Sequence, residues 1–405
     1  MYRTTALTER GKSMSTLSSE TAQYLPFHRP RIEQEEIDAM VAVLKTGWLT
    51  TGPKVKEFEE AFAQFIGARY ALAVSSCTAA LHLALDAIGL REGDEVLLPA
   101  LTFTATAEVV TYFRAKPVLV DSEGGHFNLD PNKLEEQVTP RTRAIIPVHF
   151  AGHPCDMESL IDLASRKNLP IIEDAAHAFP AKYRRRFVGT MGRLTAFSFY
   201  ATKTLSTGEG GMITTEDDTL ASRIAMMRLH GLSKDAWKRY SAEGSWRYDV
   251  VEAGYKYNLT DMQAALGLAQ LRKAEAMRQE RTRLAELYTK GLAESQAFRL
   301  PEVSPDVQHA WHLYVILLRP GALTIHRDVM IEELRRRGIG TAVHFIPLNL
   351  HSYYQTRWGY RRGQFPVAED YAERCLSLPL FPGMTSQDVE RVIESLNEVA
   401  YQYRA

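Results

Sequence analysis

Between Tyr70 and Thr214 the chain repeats one pattern, a short apolar run followed by a stretch with helical spacing. The runs are Tyr70–Ser75, Glu95–Leu98, Pro117–Asp121, Ala144–His149, Pro170–Glu173, Leu194–Phe199 and Gly211–Thr214. Runs this continuously apolar must be covered on both faces, which a one-sided antiparallel hairpin does not provide. Their alternation with helical segments predicts an α/β fold, a mainly parallel sheet flanked by helices. Apolar spacing also predicts helices at Glu33–Lys45, Val55–Phe65, Thr78–Ile88 and Met157–Arg166.

At 405 residues the chain is too long for one core. The expected division is a polar, disordered lead at residues 1–23, a large domain at 24–260 and a smaller C-terminal α/β domain at 261–405. The smaller domain opens with a long connecting helix from Thr260 to about Leu292. Strand-like Trp311–Leu318 and helices at Arg327–Arg337 and Ser386–Ala400 follow. Within the lead, Met14 is an alternative start. Lys+Arg of 48 against Asp+Glu of 49 leaves no broad field to attract nucleic acid or an anionic membrane. An anionic ligand must therefore be held locally. No apolar run is long enough to span a bilayer, and three scattered cysteines suit a reducing compartment, so a cytoplasmic protein is expected.

In an open parallel sheet, ligands gather beyond the carboxyl ends of the strands. Four candidate segments fall there. Ser76, Cys77 and Thr78 open a helix after the first strand, where free N–H groups and hydroxyls suit a phosphate or simply cap the helix. Phe103 follows the second strand and offers a flat face for stacking, or core packing. Asp174 and His177 follow Ile172. A carboxylate there needs a partner, and Asp174 is suited to a protonated pyridine nitrogen or to a helix cap. Ser198 and Lys203 follow the sixth run, ahead of Gly208, Gly210 and Gly211, which let the chain return beside a ligand. Burial near another cation would lower the lysine pKa and favour the neutral amine needed for Schiff-base formation.

Two other patterns fail on context. Gly208-Glu209-Gly210-Gly211 precedes a strand instead of opening a helix, so it is no dinucleotide loop. His149, His153, Cys155 and Asp156 match no zinc spacing, and no metal is expected.

From about Leu25 to the C-terminus the sequence resembles the DegT/StrS family of fold-type I sugar aminotransferases, which use pyridoxal 5′-phosphate (PLP). The resemblance rests on Gly47–Pro53, Val74–Ala80, Glu173–His177, Ser198–Gly211 and Gly254–Asp261, in that order and spacing. It implies Lys203 as Schiff-base lysine and general base, Asp174 on the pyridine nitrogen and His177 near the ring hydroxyl. Phe103 would stack on the ring, where close relatives often carry tryptophan. Thr78, the Cys77–Thr78 backbone and Ser198 would hold the phosphate, with Asn258 reaching the phosphate of a neighbouring subunit in a homodimer. Related sugar dehydratases carry histidine in place of this lysine.

The implied reaction moves an amino group from L-glutamate, released as 2-oxoglutarate, to the keto carbon of a nucleotide-linked sugar. The Trp48–Pro53 loop with Thr50, the Tyr255–Leu259 run and the His149–Pro154 stretch look most like the branch acting on UDP-linked 4-keto sugars, such as the 4-keto-pentose of lipid A modification or 4-keto-6-deoxy-N-acetylhexosamines, and His344–Leu348 resembles a family segment that lines the sugar site. A dTDP- or GDP-linked sugar stays open, as does a non-catalytic PLP- or nucleotide-sugar-binding regulator, although such a protein should have lost Lys203 or Asp174.

Overall fold

A computed structural model describes residues 24–233 and 248–405. The expected polar lead, with Met14, lies outside the described residues. Seven strands from the first half of the chain build the main sheet: β1 (Tyr70–Val74), β2 (Glu95–Pro99), β3 (Lys116–Val120), β4 (Thr142–Ile145), β5 (Ile172–Asp174), β6 (Leu194–Ser198) and β7 (Gly211–Thr215). They pair in the orders β1-β7-β6-β5 and β3-β2-β4. Parallel bridges Ile145–Ile171 and Val148–Asp174 join β4 to β5, so the two sets run on as one sheet.

The ladders of β2 with β3 and β4, and of β5 with β6, are parallel. Only β7 runs antiparallel, to both β1 and β6. The reason is local: a parallel pair needs a long crossover, and here the 199–210 segment folds straight back.

Helices α1 (Gln34–Thr46), α2 (Pro53–Ile66), α3 (Cys77–Ala87), α4 (Ala105–Tyr112), α5 (Met157–Lys167) and α6 (Asp218–Met227) accompany the sheet. Their ends obey capping chemistry. The Ser76 hydroxyl accepts the Ala79 N–H at 3.0 Å to start α3, and Gly47 at φ 73° ends α1. Beneath the return from β6 to β7 lies an aromatic cluster. Phe62 stands 5.0 Å from Phe179 and 5.1 Å from Phe197, and Phe58 stands 5.4 Å from Phe199, ring centre to ring centre. Burial of each such ring is worth ~1.5–3 kcal/mol, so the loop above rests on a rigid floor.

The C-terminal part begins with α7 (Asp261–Arg272), opened by a Thr260–Gln263 capping box, and α8 (Ala274–Leu292). The single long helix expected there breaks at Lys273. A small antiparallel sheet of Phe298–Arg299, Tyr314–Leu318 and Cys375–Leu378 follows. It shares a buried cluster with Tyr288 of α8 and with Leu334, Val392 and Leu396 of later helices.

The expected strand at Trp311 begins only at Tyr314. Trp311 has a positive φ of 50°, and its N–H is taken by His309 Nδ1 at 2.7 Å, so these residues turn instead of extending. The ladder expected at Ala144–His149 stops at Ile145, although Val148 still bridges to Asp174. Among the described residues no helix is long and apolar enough to cross a membrane.

Candidate active site

The carboxyl ends of the parallel strands open into a cavity of about 450 Å³. Its wall brings together Cys77, Thr78, Phe103, Asp174, His177, Ser198, Lys203 and His344, from segments spread over most of the chain. Strand alternation explains which side chains arrive. Phe197 and Phe199 point down into the aromatic cluster, so Ser198 between them points up into the cavity.

The same alternation splits the adjacent pair Glu173 and Asp174. Glu173 is fully buried on the far side, where it accepts from Gly192 N–H at 2.6 Å and Thr195 Oγ1 at 2.9 Å and meets His149 Nε2 at 2.9 Å. His149 Nδ1 accepts the Cys155 N–H at 3.0 Å, so Nε2 carries the proton and donates to Glu173. These polar groups serve the fold beneath the site.

Asp174 faces the cavity. Its Oδ2 accepts from Thr106 Oγ1 at 2.8 Å and its Oδ1 from Ala176 N–H at 3.1 Å. Burial raises its pKa, while those two donors and the nearby Lys203 pull it back. Thr106 spends its proton on Asp174, so the Thr102 hydroxyl, 2.7 Å from Thr106 Oγ1, donates to it in turn. The sequence reading missed both threonines. Thr102 precedes α4 and Thr106 lies in its first turn, so no helical spacing marks the pair.

Lys203 sits in a loop closed at its base by Phe199 N–H to Gly210 O and Thr207 N–H to Phe199 O, both 2.9 Å. Burial lowers its pKa from 10.5 to about 8, against the opposing pull of Cys77 and Asp174. The neutral amine is therefore a minor but accessible form near neutrality, far commoner than for an ordinary lysine. His177 is 5% exposed, its pKa is driven well below the usual value by burial and then by Lys203, and its Nδ1 has no partner. His344 is lowered to about 4 by burial and holds Ser377 Oγ at 2.9 Å. Phe103 is 59% exposed, open to a stacked ligand, with Phe345 at 5.9 Å.

Opposite Asp174, the first turn of α3 presents N–H groups that lack partners inside the helix. Gly211 lets this turn come close. A Cβ at that position would lie 2.6 Å from the Ser76 carbonyl carbon and 2.8 Å from the Cys77 nitrogen.

The expected phosphorylated pyridine ring fits this donor set. A helix start suited to an anion and a buried carboxylate both line the cavity. An unpartnered imidazole nitrogen, a lysine of lowered pKa and an exposed aromatic face lie on the same cavity.

Three expected residues lie apart from this wall. Trp48 Nε1 donates to Thr51 O at 3.0 Å, and Thr50 O accepts the Asp261 N–H at 3.1 Å. Asn258 Nδ2 donates to Thr51 Oγ1 at 2.7 Å. Asp261, overlooked in the sequence, organises this loop. It is 2% exposed and accepts the N–H groups of Gly52, Lys54 and Val55 at 2.8–3.1 Å.

Comparison with known proteins identifies the family. Residues 30–397 match the DegT/DnrJ/EryC1/StrS aminotransferase family. The chain is 48% identical over 377 residues to the spore coat polysaccharide biosynthesis protein SpsC of Bacillus subtilis, covering 93% of this chain and 97% of that protein. Spr1654 from Streptococcus pneumoniae, solved in its PLP form, superposes with a TM-score of 0.88 at 32% identity, covering 94% of this chain and 99% of that one. PseC of Helicobacter pylori, an aminotransferase of pseudaminic acid biosynthesis, superposes with a TM-score of 0.87 at 28% identity, over 94% of this chain and 100% of that one. The chain belongs to the DegT/DnrJ/EryC1/StrS aminotransferase family.

Proposed function

We propose that this protein is a PLP-dependent aminotransferase that moves the amino group of L-glutamate to C4 of a UDP-linked 4-keto sugar, for cell-surface polysaccharide or lipid A biosynthesis. The observation that carries the reading is the convergence of Lys203, Asp174, His177 and the start of α3 on one cavity. The name of SpsC supports a product made for polysaccharide, and Spr1654, described as a sugar aminotransferase and solved in its PLP form, supports the sugar acceptor and the cofactor.

When bound, PLP supplies a conjugated ring that takes up the electron pair left at the donor's α-carbon. Asp174 holds a proton on the ring nitrogen, as an ion pair sheltered from water. The Cys77 and Thr78 N–H groups, with the hydroxyls of Thr78 and Ser198, hold the phosphate. Phe103 covers a ring face, and His177 contacts the ring hydroxyl.

Lys203, neutral above a pKa of about 8, is nucleophile and acid–base. Its Nζ removes the α-proton of L-glutamate in the first half-reaction. In the second it delivers a proton to the sugar carbon that was the ketone. His344, Trp48 and Thr50 contact the sugar nucleotide. Asn258 serves the phosphate of a neighbouring subunit, so the working unit is a cytoplasmic homodimer built from a cofactor domain (24–260) and a smaller domain (261–405).

The test is a panel of UDP-, dTDP- and GDP-linked 4-keto sugars with L-glutamate. The reading expects the UDP-linked 4-amino sugar as product, with 2-oxoglutarate formed in equal amount. Product from a dTDP- or GDP-linked sugar alone would overturn the choice of nucleotide. No product from any of them would overturn the acceptor class.

A further inference from the structure

Phe103 is the exposed member of a turn that is otherwise held down. Ala100, Leu101 and Thr102 before it are buried, and Thr104 after it is the residue that precedes α4. Within its own part of the chain the turn is tied by Ala100 N–H to Val120 O at 2.8 Å and by Thr106 N–H to Phe103 O at 3.2 Å.

Further ties come from far along the chain, and they bracket Phe103. On one side the Leu348 N–H donates to Ala100 O at 2.8 Å. On the other stands Tyr354, from the short helix Ser352–Trp358 and 2% exposed. Its hydroxyl lies 3.0 Å from Thr104 Oγ1 and 3.3 Å from Thr104 O. A carbonyl only accepts, so the phenol donates to it and receives the threonine proton. Burial pushes the Tyr354 pKa up to about 12, so the phenol keeps its proton. A buried phenol needs a partner, and this one has both of its partners on the residue next to Phe103. The same segment reaches the cavity at its other end, where His344 and Phe345 line the wall and the Phe345 ring stands 5.9 Å from Phe103.

We propose that Tyr354 is a positioning residue which, together with the Leu348 N–H, sets the Phe103 ring over the cofactor. This rests on the reading of Phe103 as the face stacked on PLP and extends it. Tyr354 does not line the cavity, so it acts through the turn. The energy of an aromatic stack depends on the offset and tilt of the rings. A turn released on one side therefore loses part of that contact even with Phe103 in place.

The test is the PLP affinity of the cofactor-free protein, read by fluorescence titration in the parent, Tyr354→Phe, Phe103→Ala and the double variant. Tyr354→Phe removes one oxygen and keeps the buried ring. It should weaken PLP binding by about three- to tenfold, the worth of one hydrogen bond. In the Phe103→Ala background the same change should cost roughly twofold at most, because the ring it serves is gone. Equal losses in both backgrounds overturn the proposal and leave Tyr354 as a support of the fold. A folded Tyr354→Phe variant that binds PLP like the parent overturns it as well.

If Tyr354→Phe does not fold, Thr104→Val and Thr104→Ser decide. A loss in the valine variant that serine restores, and that vanishes in Phe103→Ala, supports the positioning; a valine variant with the parent's affinity overturns it. Failure here differs visibly from failure of the function. A parent that takes up no PLP overturns the function and this proposal with it. Phe103→Ala with the parent's affinity overturns the stacking and the positioning that depends on it, and leaves the aminotransferase reading standing.

Discussion

Thr106 Oγ1 donates to Asp174 Oδ2 at 2.8 Å, and Thr102 backs it at 2.7 Å, so two hydroxyls in series oppose the rise that burial imposes on this carboxylate's pKa. Burial alone pushes the Asp174 pKa up. Thr106→Val removes the first opposing donor. A hydrogen bond to a charged group is worth ~1.5–3 kcal/mol, which corresponds to about 1–2 pH units. The acidic limb of the kcat/KM profile should move up by that amount, and Thr106→Ser should restore it.

The same carboxylate opposes folding at neutral pH. Its folded pKa lies above the unfolded value, so the stability it contributes is full below about pH 3.9 and is lost as pH rises through the folded pKa. Asp174→Asn removes that loss. The cofactor-free variant should melt higher than the parent at pH 7, with the gap closing toward pH 4 in thermal scans, while transamination is lost.

Lys203 behaves in the opposite sense. Its pKa is lowered to about 8, so the neutral amine grows as pH rises through that value. Covalent capture of added PLP by the cofactor-free protein should speed up roughly tenfold between pH 7 and pH 9, as the neutral fraction of such a group does. Stopped-flow absorbance would follow it. A rate still climbing steeply beyond pH 10 would mean an ordinary lysine.

Gly211→Ala tests the close approach of β7 to the start of α3. The new Cβ would meet the Ser76 and Cys77 backbone under 3 Å, and backbone cannot swing aside as a side chain can. Overpacking of this kind costs ~1–3 kcal/mol. PLP affinity, read by fluorescence titration, should fall by about 5- to 150-fold, because the displaced turn holds the phosphate.

Much of this architecture is legible in the sequence because each strand is continuously apolar and ends in polar residues that cannot stay in the core. Lys203, Asp174, Ser198 and Thr78 stand out for that reason: each interrupts a pattern at the sheet edge where ligands bind. The threonine relay was invisible because Thr102 and Thr106 read as ordinary helix-start residues until Asp174, 68 positions after Thr106, is brought against them. Cys375–Leu378 was missed as a strand because four residues carry too little periodicity and its partner lies far back at Tyr314–Leu318.

The most direct measurement is the visible absorption spectrum of the purified protein and of Lys203→Ala, before and after L-glutamate and then after a UDP-4-keto sugar. The parent should be yellow, bleach on glutamate and recover on the sugar, while folded Lys203→Ala shows neither change at a comparable rate. A parent that stays colourless with added PLP, or a Lys203→Ala variant that completes the cycle at the parent's rate, would contradict the assignment of Lys203.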